Sequence, residues 1–230
     1  MRTPVHKPIT QREVEAWGAT IDPRYVEPAL THRSWAYENG GEHSERLEFL
    51  GDSILGAVVT SYIFATYPDM NEGGMSKIKA AAVSERSLAE IARRLGLGAF
   101  IRLGHGEEKS GGRDKDSILA DTVEALIGGT FLTHGVEVTN EVVLRHLVPQ
   151  VEAAQKMGPA LDWRTAFEEK AREQGITGNL SYEVEGEGPD HARVYTAAVI
   201  VDGVKRGEGT ATSQKQAKLE ACKAAYYALG

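Results

Sequence analysis

Residues 45–66 read ERLEFLGDSILGAVVTSYIFAT and stop before Tyr67-Pro68-Asp69. The spacing predicts an amphipathic helix. At about 100° per residue, with Glu45 as zero, Glu48 falls near −60° and Asp52 near −20°. Leu47, Leu50, Ile54 and Val58 fall roughly between 140° and 220°, the expected core stripe. Three carboxylates therefore share one stripe on the opposite side. Phe49 lies near about 40°, beside the acids rather than in the core. Residues 117–133 (SILADTVEALIGGTFLT) repeat the device. Asp121 and Glu124 share one face, while Leu119, Val123, Leu126 and Thr130 take the other.

Working outward, residues 75–95 read as another helix, with Gly96-Leu97-Gly98 as its stop. A fourth covers roughly 139–155, and no strand-like alternation stands out before residue 158. This part is expected to be all-α. Residues 104–116 (GHGEEKSGGRDKD) are rich in glycine and charge but lack the Gly-Lys-Ser/Thr ending of a phosphate-binding loop. That composition suits a flexible connector.

The chain is expected to divide near Met157-Gly158-Pro159, giving segments 1–158 and 159–230. Beyond the break, 162–174 reads as a helix capped by Asp162 and stopped by Gly175. Three strand-like runs follow, at 179–185, 193–201 and 204–210, with Asp202-Gly203 as a two-residue hairpin signal. Residues 213–229 return to helix. The order α-β-β-β-α describes an α+β module of about 70 residues.

Hydrophobic residues make up 41% and charged residues 26% of the 230. Those proportions exclude a wholly disordered chain, a collagen-like fibre and a disulfide scaffold. Cys222 is the only cysteine, so no intrachain disulfide forms and a reducing, cytoplasmic setting is expected. No apolar run approaches the roughly 20 residues of a membrane span, and the start, MRTPVHKPITQREVEAW, lacks a signal peptide's apolar stretch. No membrane partner is expected. The 26 basic and 33 acidic side chains leave a net charge of −7, so bulk charge does not advertise nucleic-acid binding. Local patches or metal ions would have to supply it.

Spacing alone suits two solvated acidic helix faces. Against that, like charges three or four residues apart repel, and few basic residues balance them. A hard cation resolves the conflict. Mg²⁺ takes oxygen ligands, and Glu48, Asp52, Asp121 and Glu124 converge on one if the two helices pack side by side. No His or Cys cluster has zinc spacing.

The run Glu45-Arg46-Leu47-Glu48-Phe49-Leu50-Gly51-Asp52-Ser53 resembles the signature of ribonuclease III. Leu30-Thr31-His32-Arg33-Ser34, Asn39-Gly40, Asn71-Glu72-Gly73 and residues 117–129 (SILADTVEALIGG) match the family in order. The resemblance covers almost the whole chain. It implies an all-helical, homodimeric endonuclease domain followed by a double-stranded RNA-binding domain. Residue by residue, it implies Glu48, Asp121 and Glu124 as metal ligands and Asp52 and Glu124 as catalytic. Glu45 and Glu72 match two further acidic positions, and Phe49 an aromatic knob entering the partner subunit. The cofactor implied is Mg²⁺, with Mn²⁺ able to substitute. The implied products carry a 5′ phosphate, a 3′ hydroxyl and a short 3′ overhang. For residues 104–116 the family implies an RNA-facing loop.

In the C-terminal module the family landmarks are Gly188-Pro189-Asp190-His191 and Ser213-Gln214-Lys215-Gln216-Ala217-Lys218. A lysine-bearing helix N-terminus offers free N–H groups and positive charge to phosphates, which suits Lys215 and Lys218. His191 on its loop can reach 2′-hydroxyls in the shallow minor groove. Thr165 and Glu168 match the other minor-groove contact region. The chain departs from the family at Gln214, where a basic residue is frequent, and at Glu168, where Gln is common. Residues 159–230 hold nine Lys and Arg against eleven Asp and Glu, a net of −2. Lys205, Arg206, Lys215, Lys218 and Lys223 nevertheless cluster in the last third. An alternative function follows: a double-stranded RNA-binding regulator that does not cut.

Overall fold

A computed structural model describes residues 16–158, 162–189 and 192–230. These fall into two compact units that part between Lys156 and Met157.

The first unit is helical. Its elements are α1 (Pro23–Ala29), α2 (Arg33–Asn39), α3 (Glu45–Thr66), α4 (Glu72–Ala82), α5 (Glu85–Leu95), α6 (His105–Lys109), α7 (Asp116–His134) and α8 (Val136–Met157). Short 3₁₀ turns lie at Leu97–Phe100 and Gly112–Asp114. α7 is the central helix, with buried residues around most of its circumference, and α1, α3 and α5 pack against it. Trp17 is buried on it as well, donating Nε1–H to Thr130 Oγ1 at 3.0 Å and stacking on His146.

The single helix expected over 75–95 is two helices. Ser84 has extended backbone (φ −63°, ψ 151°), and its Oγ accepts from Ser87 N at 3.3 Å. That is an N-cap, with Glu85 in the first turn behind it. α4 also begins earlier than expected, because Asn71 Oδ1 accepts from Gly74 N at 2.8 Å. The expected stop holds, with Gly96 left-handed at φ 69°.

Residues 104–116 are not a loose connector. Arg113 Nη1 donates to Gly98 O and Ile101 O, both at 2.9 Å, while its other nitrogens grip Glu108 at 2.7 and 2.6 Å. Lys115 Nζ lies 2.5 Å from Glu107 Oε1. The backbone N–H of Gly104 donates to Ser34 Oγ at 2.9 Å, and that of His105 to both Glu38 carboxylate oxygens at 2.9 and 3.0 Å. Next to this clamp, Thr31 and Arg102 form a parallel bridge. The segment is thereby pinned to α2.

In length and mean hydropathy (1.4), α3 matches a membrane-crossing helix, which the linear reading did not anticipate. Its charges are confined to the first eight residues, leaving residues 53–66 uncharged.

In the second unit, α9 (Trp163–Glu173) precedes a three-stranded antiparallel sheet and α10 (Gln214–Ala228). The strands are β1 (Leu180–Glu187), β2 (Val194–Val201) and β3 (Val204–Ala211), in the order β1-β2-β3. Asp162 caps α9, accepting from Thr165 N at 3.2 Å and Thr165 Oγ1 at 2.6 Å. Asp202 (φ 48°) and Gly203 (φ 75°) make the β2–β3 turn, both left-handed as a tight hairpin requires. Phe167, Val199 and Val201 form the core with alanines of α10. Cys222 is buried there, its Sγ 3.2 Å from Tyr182 Oη, as expected for a small core residue.

Candidate active site

The site is built where α3 crosses α7. A Cβ on Gly51 would lie 1.8 Å from Glu124 O, and one on Gly128 would lie 2.3 Å from Leu47 O. Neither position tolerates a side chain, so the backbones touch. The buried face of α3 is Leu47, Gly51, Leu55, Val58, Val59 and Ile63. It is therefore turned toward the acids relative to the expected stripe of Leu47, Leu50, Ile54 and Val58. The rotation brings Glu48 to the flank of the buried face, while Leu50 and Ile54 are only partly covered.

Carboxylate oxygens of Glu48, Asp121 and Glu124 all lie within 4.8 Å of one another, and all three residues are partly buried. Burial pushes the Glu124 carboxyl up to about 7, and the charges of Asp52, Asp121 and Glu48 add to the effect. Glu48 and Asp121 are also raised, chiefly by burial; Asp121 adds to the shift at Glu48, and Glu85 to that at Asp121. Three hard oxygen donors that resist ionisation together are a donor set suited to a divalent cation.

The other predicted acids are placed differently. Asp52 is exposed on α3, close enough for its charge to act on Glu124. Glu45 is exposed and paired with Arg33 Nη1 at 3.2 Å, and His43 Nδ1 lies 3.7 Å away. Glu72 is exposed at the head of α4, where its carboxylate accepts from Ser76 Oγ at 2.6 Å, outside the cluster. A cleft of about 930 Å³ opens over Glu48 and Asp121, and Arg33, Tyr37 and Lys115 share its lining. The linear reading missed these three. Arg33 and Tyr37 lie one turn apart on α2, a spacing that could have marked a common face.

The raised carboxyl has a measurable consequence. Glu124 holds its proton up to about 7 in the folded chain, against an ordinary value of 4.5. Between those values the folded state binds more protons than the unfolded one, so metal-free stability falls as pH rises through the window. Thermal melts in EDTA are expected to give a lower Tm at about pH 8 than at about pH 5, and Mg²⁺ to raise Tm more at the higher pH. Glu124→Gln should flatten both effects; an unchanged pH slope in that variant would remove Glu124 as their source.

In the second unit, Lys215 is exposed in the first turn of α10, and Lys218 Nζ sits 5.3 Å from the Tyr182 ring centre. Glu168 accepts from Arg164 Nε at 2.9 Å, and Thr165 is engaged with Asp162. His191 lies outside the described residues.

The comparisons with known proteins agree in both halves. A family described as Ribonuclease-III-like matches residues 22–151, and the double-stranded RNA binding motif matches 154–229. Ribonuclease 3 of Thermobifida fusca is 47% identical, covering 94% of this chain and 90% of that protein. Ribonuclease 3 of Streptomyces coelicolor is 49% identical, covering 91% and 76%. A solved structure of the nuclease domain of ribonuclease III from Campylobacter jejuni is 38% identical, covering 61% of this chain and 96% of its own, with a TM-score of 0.57. The chain belongs to the ribonuclease III family, with an endonuclease domain followed by a double-stranded RNA-binding domain.

Proposed function

We propose that this ribonuclease III-type endonuclease hydrolyses double-stranded RNA in a Mg²⁺-dependent reaction, with Mn²⁺ able to substitute. The observation that carries the reading is the cluster of Glu48, Asp121 and Glu124, three carboxylates drawn from two helices to within 4.8 Å. These three would hold the metal. When bound, the cation lowers the pKa of water and neutralises charge on the phosphate oxygens. To serve as an anionic ligand, Glu124 would release to solvent the proton that its burial retains. Asp52, exposed beside it, would take the proton that the attacking water loses. Glu45 and Glu72 hold secondary places, Glu45 by fixing Arg33 at the cleft wall. The products would be 5′-phosphate and 3′-hydroxyl ends with a short 3′ overhang, and the natural substrates ribosomal and other precursor RNAs in the cytoplasm. Thr165, Glu168, His191, Lys215 and Lys218 would hold the duplex through its minor groove and phosphates.

Cutting both strands calls for two acid sets, and a twofold dimer supplies them. Phe49 is 78% exposed and itself helps to line a groove of about 900 Å³, with Tyr25, Pro28, Leu50 and Leu132. A knob beside a groove on one surface is self-complementary under a twofold axis. Burying the ring in a partner gains roughly 1.5–3 kcal/mol per copy. Phe49→Ala is therefore expected to weaken the dimer and lower double-strand cleavage with little loss of helix content. Light scattering checks this: a wild-type mass near that of one chain would defeat the dimer, and an unaltered dissociation constant would remove Phe49 from it.

The activity itself is tested on a gel. A long RNA duplex should be cut with Mg²⁺ and left whole with EDTA. A shifted but uncut duplex with Mg²⁺ would favour the non-cleaving regulator.

A further inference from the structure

We propose that Tyr37 is a positioning residue of the cleft: its ring and hydroxyl read the ribose face of the RNA minor groove beside the bond to be cut. The inference rests on the functional reading above and goes beyond it to one contact.

The first observation is exposure. Tyr37 has 94% of its surface in solvent, more than any other large hydrophobic side chain among the described residues. A singly exposed aromatic needs no explanation by itself. Its setting provides one. No residue of α2 is fully buried; Ser34, Trp35 and Ala36 are partly covered, whereas Arg33 and Tyr37 are exposed. Arg33 and Tyr37 stand four apart on it, hence on one face, and both line the cleft whose lining includes Glu48 and Asp121. The helix is also held in place. His32 N donates to Arg102 O at 3.0 Å, Gly104 N to Ser34 Oγ at 2.9 Å, and Glu38 grips the His105 N–H. A ring on a fixed platform loses little freedom when a ligand covers it.

The second observation is the chemistry that must occupy the cleft. A scissile phosphate brought to the acid cluster places the adjoining duplex along the cleft walls. An A-form helix presents there a wide, shallow groove carrying 2′-hydroxyls. A phenol suits it, with an apolar ring for the ribose and an O–H that both donates and accepts. Arg33, on the same face, is a cation for the neighbouring phosphate. The 2′-hydroxyl is what separates RNA from DNA at such a contact. Tyr37 should therefore contribute to RNA selection and to where the cut falls, without touching the reacting atoms.

The test is steady-state cleavage of a defined RNA duplex by wild type, Tyr37→Phe and Tyr37→Ala. The substrate series carries single 2′-deoxy replacements on either side of the cut. Tyr37→Phe should raise KM by about five-fold, the effect of one neutral hydrogen bond, with kcat within about two-fold. Tyr37→Ala should raise KM further and spread the cuts over neighbouring positions. One 2′-deoxy replacement should weaken wild type and leave Tyr37→Phe unaffected. Wild-type KM and cut positions in both variants would overturn the proposal, as would a loss confined to kcat. So would a Tm shift or dimer dissociation in Tyr37→Ala, which would mark a structural or interface ring. If wild type itself leaves the duplex uncut, the functional reading fails first and this contact falls with it.

Discussion

Glu124→Gln is expected to lose at least ~100-fold in cleavage of duplex RNA, as a disrupted metal site does. The amide keeps the shape of the side chain but removes an anionic oxygen from the cluster. Binding of the uncut duplex should survive, because the second unit is untouched. The same change should not destabilise the metal-free protein at about pH 8, and is expected to raise its Tm there. Burial and three neighbouring carboxylates already oppose the ionised form of Glu124. A variant that melts higher and cuts far more slowly would show a site kept at the expense of stability. Normal cutting by Glu124→Gln would remove its role.

Gly51→Ala should be nearly as damaging, although it adds one methyl group and alters no charge. The new carbon would sit 1.8 Å from Glu124 O and 2.6 Å from its carbonyl carbon. Both are backbone atoms, so α3 and α7 must separate. Overpacking of this kind costs about 1–3 kcal/mol or more, which lowers Tm by roughly 5 °C or more. The separation also carries Glu48 and Asp52 away from Asp121 and Glu124. A misplacement of about 1 Å is enough to cost ~100-fold in rate. Gly56→Ala on the same helix is the control. Its Cβ would meet only Lys79, at 3.6 Å or beyond, so it should be tolerated. Equal Tm and activity in the two variants would show that the close crossing is not needed.

The limits of α3 are plain in the sequence because a proline turn follows a continuous apolar period. Its orientation is not. Apolar residues occur around much of the helix, and Leu50 and Ile54 belong to a half-covered side, close to Phe49 and its groove. Glycine carries no weight in a hydrophobic pattern, yet Gly51 marks the closest approach of two helices. The acids were legible as stripes, and their convergence depends on that crossing. The break at Ser84 is a cap signal overridden by the continuing helical period around it. The order of residues 104–116 comes from Arg113 reaching carbonyls of Gly98 and Ile101, a tertiary contact that composition does not encode. The second unit was easier, since strand alternation, Asp202-Gly203 and the Asp162 cap are local signals. On the site itself, Tyr37 and Arg33 escaped notice because a seven-residue helix with no fully buried residue shows no apolar period, and only their own spacing marks a shared face.

Anomalous diffraction from a crystal grown with Mn²⁺ tests most directly whether the helix crossing assembles a cation site. A peak within bonding distance of carboxylate oxygens of Glu48, Asp121 and Glu124 is expected. Ordered carboxylates with no peak between them, or a peak held only by acids outside this cluster, would contradict it.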